Sequence, residues 1–238
     1  MNVNGLHSKA GNIKNTITTN QLDVIGLSET MHRDNLDSCL AEVTPPHFSL
    51  VQYPRISVHG GGLVILYDTR KFINCRLLTI QTGTFYNLSV RVKSTCGQSY
   101  NLVSIYRKPG YAGVEFRQEL QTVLKKMTKR EAILIIGGDF NIRVERLYEA
   151  SVAKFLEILA EHDLRQYTCC ETQDEEGTLD LCILKFFTNV QVTVSTVPYT
   201  TDHRLIQFDL PPTTVIHQVR ATCAVCPSVC HMRLYLKG

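Results

Sequence analysis

The 238-residue sequence contains no apolar run near the roughly 20 residues needed to cross a bilayer, so no membrane span or membrane partner is expected. Met1-Asn2-Val3-Asn4 has none of the basic and apolar character of a secretion signal. That points to an intracellular, non-secreted protein, with the nucleus a fitting compartment. The nine cysteines are odd in number and lack the spacing of a disulfide framework, so a reducing environment suits them. Neither sign of charge dominates: a net +3 permits a polyanionic partner but does not demand one. Internal repeats are absent, which excludes solenoid architectures. With 44% hydrophobic and 20% charged residues, the remaining class is a soluble globular domain with a sizeable core. That domain is expected over residues 1–212. Residues 213–238 read as a flexible tail, in which Cys223, Cys226 and Cys230 do not form the usual paired zinc knuckles.

What is present is organised around Ala132-Ile133-Leu134-Ile135-Ile136-Gly137-Gly138-Asp139-Phe140-Asn141. Five apolar residues in a row predict a short strand buried on both faces. The two glycines are expected to turn the backbone and admit a ligand close to the main chain. Asp139 and Asn141 follow at the mouth of the sheet, where an acid can align a water or bind a cation. The same letters also fit a polar turn at a strand end.

Along the chain, residues 12–21 are polar and helical or irregular, and 22–27 form a buried strand that delivers Ser28-Glu29-Thr30 at its end. Residues 44–54, with Pro45-Pro46, read as loop. Strands are predicted at 63–67, 73–80, 84–92 and 100–106, spaced like an antiparallel meander. Phe116, Leu120, Val123, Leu124 and Met127 give residues 113–129 one apolar helical face. The lysines at its end suit the helix dipole without invoking nucleic acid. Ser151 is the predicted cap of a second helix carrying Val152, Phe155, Leu156 and Leu159. Further strands fall at 178–184, 190–197 and 205–210.

Three local features carry chemistry. Asp180 lies inside an otherwise apolar strand, and a buried carboxylate needs a partner. His203, beside Asp202, is a candidate to supply one. Tyr106-Arg107-Lys108 ends a strand and fits either a phosphate contact or an aromatic edge with solvated charges. Asn2 and Asn4 share one side of an extended segment, although on position alone a frayed polar terminus accounts for them better.

Asn2-Val3-Asn4-Gly5, Ser28-Glu29-Thr30, Ile105-Tyr106, Gly138-Asp139-Phe140-Asn141, Leu179-Asp180 and Thr201-Asp202-His203 stand in one order across residues 2–210. In that order they resemble the endonuclease/exonuclease/phosphatase superfamily. Within it, Pro54-Arg55, Gly60-Gly61-Gly62, Ile105-Tyr106-Arg107 and Gly177-Thr178-Leu179-Asp180-Leu181 are most similar to the apurinic-like endonuclease domain of non-LTR (LINE-type) retrotransposons. The resemblance implies an α/β four-layer sandwich, two mostly antiparallel sheets face to face with helices outside. It implies a monomeric phosphodiesterase that uses Mg²⁺, or Mn²⁺ in its place, and acts on the phosphate backbone of duplex DNA.

By that resemblance Glu29 binds the metal, with Asn2, Asn4 and Asp202 around it. Asp139 orients and deprotonates the water, Asn141 and Tyr106 contact the phosphate, and His203 meets it while held by Asp180. Arg107, Lys108 and Thr201 are assigned to substrate. Phosphatases of inositol phosphates or lipids share the superfamily, and a repurposed nucleic-acid-binding remnant is the non-enzymatic alternative. Met1 stands directly ahead of the Asn2 motif, where relatives carry several strand residues, so a truncated first strand and weakened activity are expected.

Overall fold

In a computed structural model the described residues are 1–55, 60–78, 80–110, 113–128, 132–173, 177–185, 190–199, 201–210 and the backbone of 232–236. In chain order the elements are α1 (Ala10–Thr19), β1 (Val24–Ser28), α2 (Ser38–Val43), β2 (Phe48–Tyr53), β3 (Leu63–Asp68), β4 (Phe72–Leu77), β5 (Tyr86–Ser94), β6 (Ser99–Tyr106), α3 (Val114–Thr128), β7 (Ile133–Asp139), α4 (Ala150–Ala160), β8 (Leu164–Gln166), β9 (Asp180–Lys185), β10 (Val192–Ser195), β11 (Leu205–Leu210) and β12 (Met232–Leu236). The strands form two six-stranded sheets, ordered β10-β11-β12-β1-β3-β2 and β4-β5-β6-β7-β9-β8. Among the described strand pairings β1–β12 and β6–β7 are parallel, as is the isolated Asn2–Ser28 bridge.

Three apolar layers separate four layers of structure. Val24, Leu63, Ile65, Val90, Leu102, Ile135, Leu184 and Phe208 come from both sheets and pack between them. Ile13, Ile17, Leu40 and Val43 seat α1 and α2 on the outside of the first sheet. Phe116, Leu120, Phe155 and Leu159 seat α3 and α4 on the second, with Phe140 beneath them. The expected sandwich is therefore the observed one. Among the described residues no helix is long and apolar enough to cross a membrane.

Several local expectations give way. Residues 48–53 form β2 although the stretch reads as loop, because Pro45 and Pro46 end before the strand and do not interrupt its ladder. The antiparallel meander is confined to β4–β6, since β3 belongs to the other sheet. α4 starts two residues earlier than a Ser151 cap predicts, with Glu149 at the N-cap and no side-chain cap bond. Gly137 and Gly138 do not turn the chain. They stay in β7, paired with β6 on one side and β9 on the other. Gly138 has φ +140°, and a Cβ there would overlap the Ile105 carbonyl, so β6 and β7 can approach only with glycine at this point.

The amino terminus is not frayed. Met1 is fully buried, its ammonium donates to Gly26 O at 3.2 Å, and Ser28 N–H donates to Met1 O at 2.7 Å. β12, which nothing local in the sequence announces, lies in the same lane: Leu236 pairs with Gly26 and Asn2 with Ser28. The register thus runs from β12 directly toward Met1 along one edge of β1. The rest of the tail, with Cys223, Cys226 and Cys230, lies outside the described residues.

Candidate active site

The ends of β1, β6 and β7 and the starts of β9 and β11 converge at one rim of the sandwich. β7 and β9 are registered so that Asp139 sits opposite Asp180, and β6 places Tyr106 on the other side of Asp139. Apolar neighbours along each strand bury all three side chains. His203 enters just ahead of β11, where Thr201 Oγ1 accepts its N–H at 3.3 Å.

The core of the site is a buried trio. His203 Nδ1 donates to Asp180 Oδ2 at 2.8 Å, and Asp139 lies within the same cluster, one donor atom from each within 4.8 Å of the others. Asp139 Oδ2 accepts from Asn2 Nδ2 at 3.2 Å, and its Oδ1 accepts from the Asn141 N–H at 2.9 Å. Asp180 Oδ1 has no hydrogen-bond partner among the described residues. Burial works against the His203 imidazolium, but the Asp180 carboxylate, with Asp139 and Asp202 behind it, outweighs burial and raises its pKa to about 9. Burial and then the neighbouring Asp180 charge push the Asp139 carboxyl well above its ordinary range. Two inward carboxyl groups therefore face one imidazole: the imidazolium balances Asp180, and ionising Asp139 as well would leave more negative charge than the trio's own side chains balance.

Glu29 stands next to this trio at the end of β1. Its carboxylate accepts from the Tyr106 hydroxyl, and burial together with that hydrogen bond keeps the phenol protonated. Gly60 makes room for the pair: a Cβ there would lie 3.1 Å from both Glu29 Oε1 and Tyr106 Oη. Glu29 and Met31 hold φ of +50° and +56°, a left-handed backbone that costs energy for such residues and gathers at functional sites.

Not every candidate side chain reaches the cluster. Asn4 is exposed, and among the described residues no hydrogen bond joins its side chain to the trio; its N–H caps Asn2 Oδ1 at 2.9 Å. Asp202 is exposed and accepts from Gln173 Nε2 at 3.0 Å. Thr201 Oγ1 donates to Asn2 O at 3.2 Å and so anchors the motif's backbone. Arg107 does not face solvent: it is 4% exposed, and its guanidinium donates to Phe140 O and Asn141 O at 2.6 Å and to Gly110 O at 3.0 Å. Asn141 Nδ2 donates back to Arg107 O at 2.6 Å. Burial and this carbonyl cage make Arg107 a brace for the loop that follows Asp139 and carries Asn141. Lys108 is exposed and lines a groove of about 250 Å³ with Tyr53, Thr82, Thr84 and Tyr86, beside Tyr106.

Sequence reasoning missed Thr172. Its Oγ1 accepts the N–H of Leu179 and of Asp180, both at 3.0 Å, and so fixes the entry to β9. A single Thr in a polar loop offers no local signal for that role.

The same arrangement of sheets recurs in solved structures. The chain is similar to the endonuclease domain of TRAS1, a telomere-specific non-LTR retrotransposon, at 14% identity over 87% of this chain and 94% of that one, with TM-score 0.67. It is similar to the AP endonuclease LMAP from Leishmania major at 12% identity over 87% and 85%, with TM-score 0.66. The 3′ phosphatase NExo from Neisseria, solved with a product DNA hairpin, matches at 14% identity over 87% and 96%, with TM-score 0.61. At these identities the likeness carries the fold alone. No curated protein matches the sequence. Residues 1–205, which contain every side chain of the buried trio and its surroundings, match the Endonuclease/Exonuclease/phosphatase family, and the chain belongs to that family.

Proposed function

We propose that this chain is a Mg²⁺-dependent DNA endonuclease that nicks one strand, acting as a monomer on the duplex phosphate backbone. The observation that carries the reading is the Asp139–Asp180–His203 trio, buried at the sheet rim beside Glu29 and Tyr106. Phosphodiester attack needs an aligned water, charge stabilisation on the phosphoryl oxygens and help for the leaving oxygen. The family's hydrolases work with a divalent metal, and the surplus of carboxylate at this rim fits one. The hard oxygen donors suit Mg²⁺, with Mn²⁺ able to replace it. Glu29 would hold the ion, with Asn2, Asn4 and Asp202 shaping its hydration. When bound, the metal supplies positive charge for the phosphoryl oxygens.

The protein's own groups do the rest. Asp139, oriented by Asn2 and Asn141, positions the attacking water and in its ionised form takes its proton. His203, protonated through its bond to Asp180, offers Nε2–H to a phosphate oxygen. Tyr106 and Asn141 flank the phosphate, and Lys108 meets the backbone beside it. Arg107 and Thr201 act through the loops they brace.

The test is conversion of supercoiled plasmid to open circles, run beside phosphate release from inositol phosphates. Nicking that requires Mg²⁺ and stops on chelation is expected, with no phosphate release. Equal nicking in excess chelator would overturn the metal mechanism. Phosphate release without nicking would move the substrate to phosphomonoesters. Inactivity on both, with DNA binding retained, would favour a nucleic-acid-binding remnant.

A further inference from the structure

A second set of metal donors converges away from the catalytic rim. His7 lies in the turn between the Asn2 motif and α1, Asp37 caps α2, and Cys39 is the second residue of that helix. His7 Nε2 stands 3.1 Å from Asp37 Oδ1 and 3.2 Å from Oδ2. Asp37 Oδ1 accepts the Cys39 N–H at 3.4 Å, and the Cys39 thiol hydrogen-bonds to the same carboxylate. One nitrogen, one oxygen and one sulfur thus lie within 4.8 Å of one another. Zinc bonds of about 2.0–2.3 Å in tetrahedral geometry separate ligand atoms by roughly 3.3–3.8 Å, so small side-chain turns suffice to close the set.

The donors are graded from solvent to core. The His7 side chain is 65% exposed, that of Asp37 is 11% exposed, and Cys39 is buried in the first-sheet core. A plain helix cap needs only Asp37, and a surface ion pair needs neither a half-buried carboxylate nor a thiol at its floor. The mixture of imidazole, carboxylate and thiol also selects the ion. Sulfur is a poor ligand for Mg²⁺ and a good one for zinc-class transition metals. We infer that His7, Asp37 and Cys39 form a zinc-class metal site, separate from the catalytic centre, that clips the Asn2 segment to α2.

Binding would release the Cys39 proton to solvent, leave a fourth position for water, and tie together two segments 30 residues apart. Because His7 follows Asn4 by three residues, the clip would restrain the stretch that places Asn2 on Asp139. The inference does not depend on the nuclease reading.

Co²⁺ titration of the full chain tests it, in a background where Cys223, Cys226 and Cys230 are changed to Ser. One equivalent should give a thiolate-to-cobalt charge-transfer band and tetrahedral visible bands, lost on adding Zn²⁺ and unaffected by Mg²⁺. His7→Ala, at an exposed position, should weaken cobalt affinity at least tenfold, and Cys39→Ser should abolish the thiolate band. If Cys39→Ser fails to fold, His7→Ala still decides. Absence of a thiolate band overturns the site. So does a band of unchanged affinity in His7→Ala, which would belong to other thiols such as the exposed pair Cys169 and Cys170, 3.8 Å apart.

Discussion

His203 and Asp180 show how one buried pair serves both folding and chemistry. Asp180 is fully buried and its Oδ2 is satisfied by His203 at 2.8 Å. His203→Ala should lower turnover by about two to four orders of magnitude, as for a positioned proton donor or phosphate contact. It should also destabilise the protein, by about 3–5 kcal/mol, because it strands an uncompensated buried carboxylate. His203→Gln, which keeps a donor near Asp180, should recover much of the thermal midpoint and none of the turnover; kcat and Tm measured on both variants separate the two roles. A Gln variant with wild-type turnover would remove His203 from the chemistry. This pair was legible in the sequence because an acid within an apolar strand demands a partner. Arg107 was not: its charge suggested phosphate, but a strand-end Arg can equally fold back on carbonyls, and only the loop after β7 reveals those carbonyls. Asp202 and Asn4 keep their sequence context without a described bond into the trio.

At the scale of elements, legibility followed how local the signal is. β1, β3, β7 and β9 are near-continuous apolar runs and could be read directly. β2 is half-buried along most of its length, so neither alternation nor an apolar run marks it. β12 is defined by partners roughly 200 residues away in sequence, β1, and by β11, and nothing in its own letters states that pairing. Its position makes a prediction. β12 fills the slot between β11 and β1, and Met1–Asn2 continues that slot toward Asp139. Deleting residues 232–238 opens two inner strand edges and removes several ladder hydrogen bonds at about 1 kcal/mol each. The thermal midpoint should fall steeply, and looser placement of Asn2 by about 1 Å should cost roughly a hundredfold in nicking. Grafting about six alternating apolar residues ahead of Met1 in the truncated chain should restore both, since they would enter the same slot. Unchanged Tm and activity on truncation would show that β12 supports neither.

For the molecule as a whole, the site is where the two sheets meet. Glu29 and His203 come from the first sheet and its connections, while Tyr106, Asp139 and Asp180 come from the second. The layering itself was legible only through the ordered motifs, because periodicity gives strands and helices but not which strands share a sheet. A cation held at this rim would join both sheets, so its binding should stabilise the whole sandwich by mass action: about 2.7 kcal/mol at a hundredfold excess over Kd. For a chain of this size that is roughly 5–10 °C in Tm. The effect should also depend on pH. Asp139 has its folded pKa raised by burial and by Asp180, so without metal the folded state loses stability as pH rises above the unfolded carboxyl value of about 4. His203 has its folded pKa raised to about 9, so its contribution is complete below about 6.5 and fades as pH climbs through about 9. Both trends weaken the metal-free protein on the alkaline side, where a bound cation would offset the unbalanced carboxylates. Thermal melts with and without Mg²⁺ should therefore show a larger metal-induced rise at pH 8 than at pH 6, and Glu29→Gln should remove most of it at either pH. A rise that is equal at both pH values and survives in Glu29→Gln would place the ion elsewhere, because neither the shared rim nor its surplus of negative charge would then govern binding.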